Sequence, residues 1–151
     1  LNTEGYVKKI SIRSTQIQTL DRSDVIVPNS ELISDQVTNW MLRDTIGRIK
    51  VPVGVAYGSD LERVREILLE IAFNHDSVIT GSPILPKPWV LVRQFGDSAI
   101  DFELRCFIKD IDRRLRVISD INFAIDKAFR AAGIEIPFPQ RDVHLITPDA
   151  A

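Results

Sequence analysis

Trp89-Val90-Leu91-Val92-Arg93-Gln94-Phe95-Gly96-Asp97-Ser98-Ala99-Ile100-Asp101-Phe102-Glu103-Leu104-Arg105-Cys106-Phe107-Ile108 is the stretch on which the fold of this 151-residue chain turns. From Ile100 to Ile108 apolar residues alternate with Asp101, Glu103 and Arg105, the period of a strand with one buried face. Trp89 to Phe95 is a second strand, and Gly96-Asp97-Ser98 supplies turn residues between them, so the two form a hairpin.

Moving toward the N-terminus, residues 76–87 contain Gly81, Pro83 and Pro86 and read as a loop. Before it, Leu61, Val64, Ile67, Leu68 and Ile71 make one apolar helical stripe with Glu62, Arg63, Arg65, Glu66 and Glu70 mostly outside it. Ser59-Asp60-Leu61-Glu62 precedes the stripe as a capping-box pattern, with Ser59 as the expected cap. Thr45 to Val55 alternates again, with Ile49, Val51, Val53 and Val55 on one face, and Pro52 assigns this strand to an edge or a bulge. Moving toward the C-terminus, a helix over about 114–132 places Ile118, Ile121, Ile125, Ala128, Phe129 and Ala132 on one face, and Gly133 ends it as a left-handed cap. Pro137 and Pro139 prevent continuation, and Asp142 to Thr147 is a last strand.

The order strand, helix, strand, strand, helix, strand is a split βαβ repeat. Right-handed crossovers fold it into a four-stranded antiparallel sheet with both helices on one face, a ferredoxin-like α/β sandwich. The other sheet face is left uncovered, and Trp89 and Phe107 are expected on it.

Residues 5–43 have a different texture. Strands are expected over Tyr6–Ile12, Thr15–Leu20, Val25–Val27 and Gln36–Met41, with a hairpin tip at Asp21-Arg22-Ser23 and a short helical turn through Leu32 and Ile33 after Pro28-Asn29-Ser30. This is a small β meander or barrel. A closed barrel needs about five strands, so a first strand is expected upstream of Leu1. The chain is therefore α+β, with a small β domain over 1–46 and an α/β domain over 47–151. Its opening in mid-pattern at Leu1 without an initiator Met predicts a piece of a larger protein.

A single compact unit of this length would bury roughly 68–70% of its unfolded surface, so neither metals nor disulfides are needed for stability. The lone Cys106 cannot form an intramolecular bridge. Net charge is −2, from 19 basic and 21 acidic residues spread along the chain, which leaves no basic stripe of the kind nucleic acid requires. No run approaches the ~18 apolar residues of a membrane span.

Catalytic groups are not legible. His75 and His144 are the only imidazoles, too few for a metal site without other ligands at suitable spacing, and His75 sits where a helix dipole turns negative. Asp60, Glu62, Glu66, Glu70, Asp110, Asp112 and Asp120 are interleaved with Arg63, Arg65, Arg113 and Arg116, as solvated ion pairs are. Ser59 and Ser98 lack a nucleophile-elbow context, and Gly54 and Gly58 lack a phosphate-loop lysine. Thr15, Gln16 and Gln18 beside Arg13 read as the polar outer face of the β domain, with a small RNA-binding surface as the alternative. No metal, cofactor or catalytic residue is expected.

Three stretches carry a family resemblance: Ile12-Arg13-Ser14-Thr15 through Asp21 to Ile26-Val27-Pro28-Asn29-Ser30 and on to Asn39-Trp40; Val53-Gly54-Val55-Ala56-Tyr57-Gly58-Ser59-Asp60; and Gly133-Ile134-Glu135-Ile136-Pro137-Phe138-Pro139-Gln140 with Asp142-Val143. In this order they resemble the soluble cytoplasmic region of the small-conductance mechanosensitive channels, and they cover nearly the whole chain. The resemblance implies an Sm-like fold for the β domain. It also implies a homoheptameric cage under a membrane pore, with side portals for ions and small osmolytes, on the cytoplasmic side of a bacterial inner membrane. Membrane attachment would come through upstream helices, since the glycine- and alanine-rich pore helix and the first β strand with its Gly-Asp turn are absent here. Pro28, Asn29, Asn39, Pro137, Pro139 and Gln140 match the family signature, and Pro28-Asn29 would couple cage to pore. The rival readings are a small-molecule-sensing oligomeric module, since ferredoxin-like domains often bind metabolites at subunit interfaces, and, more weakly, an RNA-binding Sm-like ring.

Overall fold

The computed structural model describes residues 4–34 and 45–144. The chain is mixed α+β and divides into two compact units, residues 1–39 and 40–151.

The first unit is a three-stranded antiparallel sheet in the order β1-β2-β3, formed by β1 (Gly5–Ile10), β2 (Ser14–Thr19) and β3 (Asp24–Pro28). The β2–β3 tip falls at Asp21-Arg22-Ser23 as expected, with Thr19 N–H donating to the Ser23 carbonyl at 2.8 Å and Arg22 in the left-handed region at φ 64°. Pro28 ends β3, and α1 (Asn29–Ser34) follows at once. Little of this sheet is buried. Val27 is inside, while Val7, Ile10, Ile12, Ile26 and Ile33 are exposed. The strand expected over Gln36–Met41 lies outside the described residues.

The second unit is a two-layer sandwich. Its sheet has the order β4-β6-β5, all antiparallel, from β4 (Gly47–Val55), β5 (Trp89–Phe95) and β6 (Ile100–Ile108). The alternation read from the sequence holds along both long strands. Ile49, Val51, Val53 and Val55 of β4 and Ile100, Phe102, Leu104, Cys106 and Ile108 of β6 are buried toward the helices α2 (Leu61–Phe73) and α3 (Arg114–Ala132). The helices contribute Val64, Ile67, Leu68 and Ala72, and Val117, Ile121, Ile125 and Phe129. Leu68 is fully enclosed, so truncating it to alanine would cost about 2–5 kcal/mol.

Local signals differ from expectation in four places. The cap of α2 is Asp60, whose Oδ1 accepts from Glu62 N and Arg63 N at 3.1 Å each; Ser59 instead donates its hydroxyl to the Ala56 carbonyl at 2.7 Å. A carboxylate beside the positive end of a helix outcompetes a hydroxyl one residue earlier. Part of the proline-rich loop is sheet: Ile79 N–H donates to Phe107 O at 2.8 Å and Lys109 N–H to Ser77 O at 3.0 Å, so Ser77–Ile79 continues the edge of β6 beyond β5. On α3 the buried stripe includes Val117, while Ala132 at the helix end is exposed.

The fourth difference concerns the last strand. The described sheet has three strands; 142–144 have no regular structure, and 145–147 lie outside the described residues. Among the described residues the outer edge of β4 carries no further strand. Ala56 N–H points off the sheet to Glu135 O at 2.9 Å, and by strand alternation the outward donor at Pro52 is missing altogether. Pro52 thus sits at an edge, one of the two positions its identity allows.

Helix α3 begins after a 3-10 turn, Ile111–Arg113, capped by Asp110 accepting from Asp112 N at 3.1 Å. It ends at Gly133 (φ 67°), whose left-handed backbone returns the chain toward the sheet.

Candidate functional site

In the first unit the signature residues converge on one node. Pro28 has no N–H to extend β3, and Asn29 turns the chain into α1. The Asn29 side chain uses both of its polar groups: Oδ1 accepts from Thr15 Oγ1 at 2.8 Å, and Nδ2 donates to the carbonyls of Ser11 and Ile12 at 3.0 and 3.2 Å. Its backbone N–H donates to Arg13 O at 2.9 Å. One asparagine therefore ties the β1–β2 connection to the β3–α1 junction.

Thr15 was expected on a polar outer face. It is buried, 3% exposed, the one buried polar residue among those described, with its hydroxyl satisfied by Asn29. An alternating strand cannot reveal a hydrogen bond across fourteen residues, so sequence reasoning missed it. The only available signal was a threonine near the start of the middle strand and an asparagine, able to donate and accept at once, directly after the last described strand of the unit.

Pro137, Pro139 and Gln140 belong to the second unit. There the chain after Gly133 runs extended: Ile134 N–H donates to Phe129 O at 2.9 Å, and Glu135 O receives Ala56 N–H. Gln140 N–H donates to Ser98 Oγ at 3.0 Å, and its side-chain amide donates to Phe138 O at 2.8 Å. The prolines hold this strap extended between β4 and the β5–β6 turn. Ile136 closes one side of a groove of about 280 Å³ lined by Pro52, Gly54, Asn122, Ile125 and Asp126. Asn39 lies outside the described residues.

The side of the β4-β6-β5 sheet away from the helices carries charge and aromatic surface. Trp89 and Phe107 lie on it as expected, ring centroids 6.4 Å apart and planes inclined by 38°. Arg105 Nε donates to Glu103 on the central strand, and this guanidinium holds the Glu103 carboxyl below the usual carboxylate range against the opposing effect of burial. On the helix side burial pushes the Cys106 thiol up to about 11. His75 accepts from Ser77 N at 3.2 Å through Nδ1, with Nε2 3.9 Å from Asp120. Among the described residues no group of His, Cys, Asp and Glu could hold a metal, and no helix is long and apolar enough to cross a membrane.

Two family models match in the order of the two units: the mechanosensitive ion channel β-domain over residues 2–42, and the mechanosensitive ion channel MscS C-terminal region over 49–136. The mechanosensitive channel MscK of Escherichia coli is 42% identical over 141 residues, covering 93% of this chain and 12% of that protein. The small-conductance mechanosensitive channel MscMJ of Methanocaldococcus jannaschii is 33% identical over 147 residues, covering 94% of this chain and 40% of that protein. The crystal structure of Helicobacter pylori MscS in its closed state superimposes with a TM-score of 0.84 at 25% identity, covering 97% of this chain and 56% of that one. This chain thus spans less than half the length of those two curated relatives. With both family models matched in register with its two units, the chain belongs to the MscS family of mechanosensitive ion channels, a family of channels and not of enzymes.

Proposed function

We propose that this chain is the cytoplasmic cage region of a tension-gated channel of a bacterial inner membrane, which releases ions and small osmolytes on hypo-osmotic shock. Tension acts on membrane helices supplied elsewhere in the parent protein. This region contributes homoheptamer assembly and the filtering of solutes through side portals, without nucleic acid. The observation that carries the reading is the paired match, β-domain then C-terminal region, across both compact units. Exposed apolar residues on the small sheet and a bare face on the larger one support an assembling role, because such surface is best covered by neighbours.

Within this reading Asn29 and Pro28 are the coupling element. They join the β1–β2 connection to α1 through four hydrogen bonds of Asn29, so a displacement of either is passed to the other. Pro137, Pro139 and Gln140 have a structural role, fixing the strap beside β4. The experiment is a patch recording of the full-length parent in a channel-free membrane under suction, with this region intact or deleted. Tension-activated steps that change on deletion are expected. Silence at lytic tension, with the protein shown to be in the membrane, overturns the reading.

A further inference from the structure

We infer that the uncovered face of the β4-β6-β5 sheet docks the outer face of helix α2 of a second copy of this chain. The inference rests on the assembly reading above and deepens it by naming the two surfaces that meet. Cross-strand register defines the first. Arg48 stands opposite Phe107, and Lys50 stands in a row with Arg105 and Trp89, so three cations and two aromatic rings share one compact patch. Arg48 and Lys50 are exposed; Glu103 on the same face takes a hydrogen bond from Arg105 and is also attracted by Arg93 and Lys50, so one carboxylate stands among four cations and the face keeps a positive balance. Such a patch favours a partner with both carboxylates and apolar surface.

Helix α2 presents that combination. Glu62, Glu66 and Glu70 recur every fourth residue along its exposed side, and Phe73, 43% exposed, continues the stripe at its end. Glu62 and Glu66 pair within the helix with Arg65 and Arg63, at 2.5 and 3.1 Å, but these pairs are solvent-exposed and weakly held, so their carboxylates remain available to a second cation. The other helix fits less well: the outer side of α3 carries Arg116, Lys127 and Arg130 around the exposed Phe123, against Asp120 and an Asp126 already paired with Arg130, so its balance has the same sign as the sheet face. The acidic helix and the basic sheet face lie on opposite sides of the two-layer unit. A contact between them is therefore heterologous, each copy using one face for each neighbour, as closed rings require.

Charge reversal of the 151-residue chain tests this, read by sedimentation velocity over a concentration series at low ionic strength, with circular dichroism confirming that each variant is folded. The double variants R48E/K50E and E66K/E70K should each weaken self-association by about tenfold or more, since like charges then face each other. The quadruple variant should regain it, since each reversed face then meets a reversed partner. Folded reversals that associate like the unaltered chain, or a quadruple variant that stays dissociated, overturn the contact while leaving the channel reading to the patch recording. An unaltered chain that is monomeric throughout also overturns it.

Discussion

Thr15 Oγ1 donates a 2.8 Å hydrogen bond to Asn29 Oδ1 from a buried position near the start of the middle strand of the small sheet. The consequence is that neither residue can be changed alone without orphaning the other. Replacing Asn29 with Ala leaves the Thr15 hydroxyl buried without an acceptor and removes the donor from Ser11 O and Ile12 O. A loss of about 1–3 kcal/mol is expected in denaturant unfolding, reported by probes in residues 4–34. Thr15→Val should cost less on its own, and the double variant should cost less than the sum, with a coupling energy of about 1 kcal/mol. Additive losses would show that the two side chains act independently.

Gly133 offers a cleaner backbone test. Its φ of 67° lies where L-residues are strained, yet a Cβ built there meets nothing within 4 Å. Any loss in Gly133→Ala is therefore conformational and not steric. About 1 kcal/mol of destabilisation is expected by thermal or denaturant unfolding. An unchanged midpoint would mean that the turn after α3 adopts another backbone at no cost, and the strap to Ser98 would have to be redrawn.

The larger unit was more legible in the sequence than the smaller one, for a physical reason. The strands Trp89–Phe95 and Ile100–Ile108 and the helix Arg114–Ala132 appear at the residues where alternation, helical period and a glycine stop place them, because each buries a whole face against one core. What periodicity could not show was pairing between distant single residues. Val78 bridges Ile108 from inside a loop rich in proline, and Ser59 and Asp60, both good capping types, differ by one position that only geometry decides. The signature around Asn29 was read through family resemblance; its partner Thr15 was not, since fourteen residues separate them and a β period gives no cross-strand register. On the uncovered face Trp89 and Phe107 were placed correctly because their neighbours in alternation are core residues.

Glu103 makes acid stability sensitive to one ion pair. Its carboxyl is held below the ordinary value of 4.5, chiefly by the Arg105 hydrogen bond. A depressed carboxylate contributes stability that is present above the unfolded value and is lost as pH falls through the folded one. Unfolding free energy should therefore drop as the pH falls below 4.5, and the drop should be shallower in Glu103→Gln, which keeps the shape and cannot titrate. Arg105→Lys should recover only part of it, because an ammonium cannot reproduce the guanidinium contact. Parallel pH profiles for the unaltered chain and Glu103→Gln would remove the pair from the account.

Cys106 reports on the opposite face of the same strand. It lies on β6 with no exposed surface, among Leu104, Ile108 and the helices, and burial raises its thiol pKa from 9.0 to about 11. Two effects then act together at pH 8: the thiolate is scarce, and the sulfur is shielded from a disulfide reagent such as DTNB until the sandwich opens. The labelling rate should be orders of magnitude below that of the urea-unfolded chain and should follow global opening, so that core-loosening Leu68→Ala accelerates it while Asn29→Ala in the other unit leaves it unchanged. The sign at high pH is also fixed. A raised thiol pKa means that the stability held by the neutral form is complete below 9.0 and is lost as pH rises toward 11, a loss that Cys106→Ala should abolish at the expense of a small cavity. Rapid labelling of the folded chain, or acceleration by Asn29→Ala, would place the opening that exposes Cys106 outside the sandwich core, contrary to its position in the sheet.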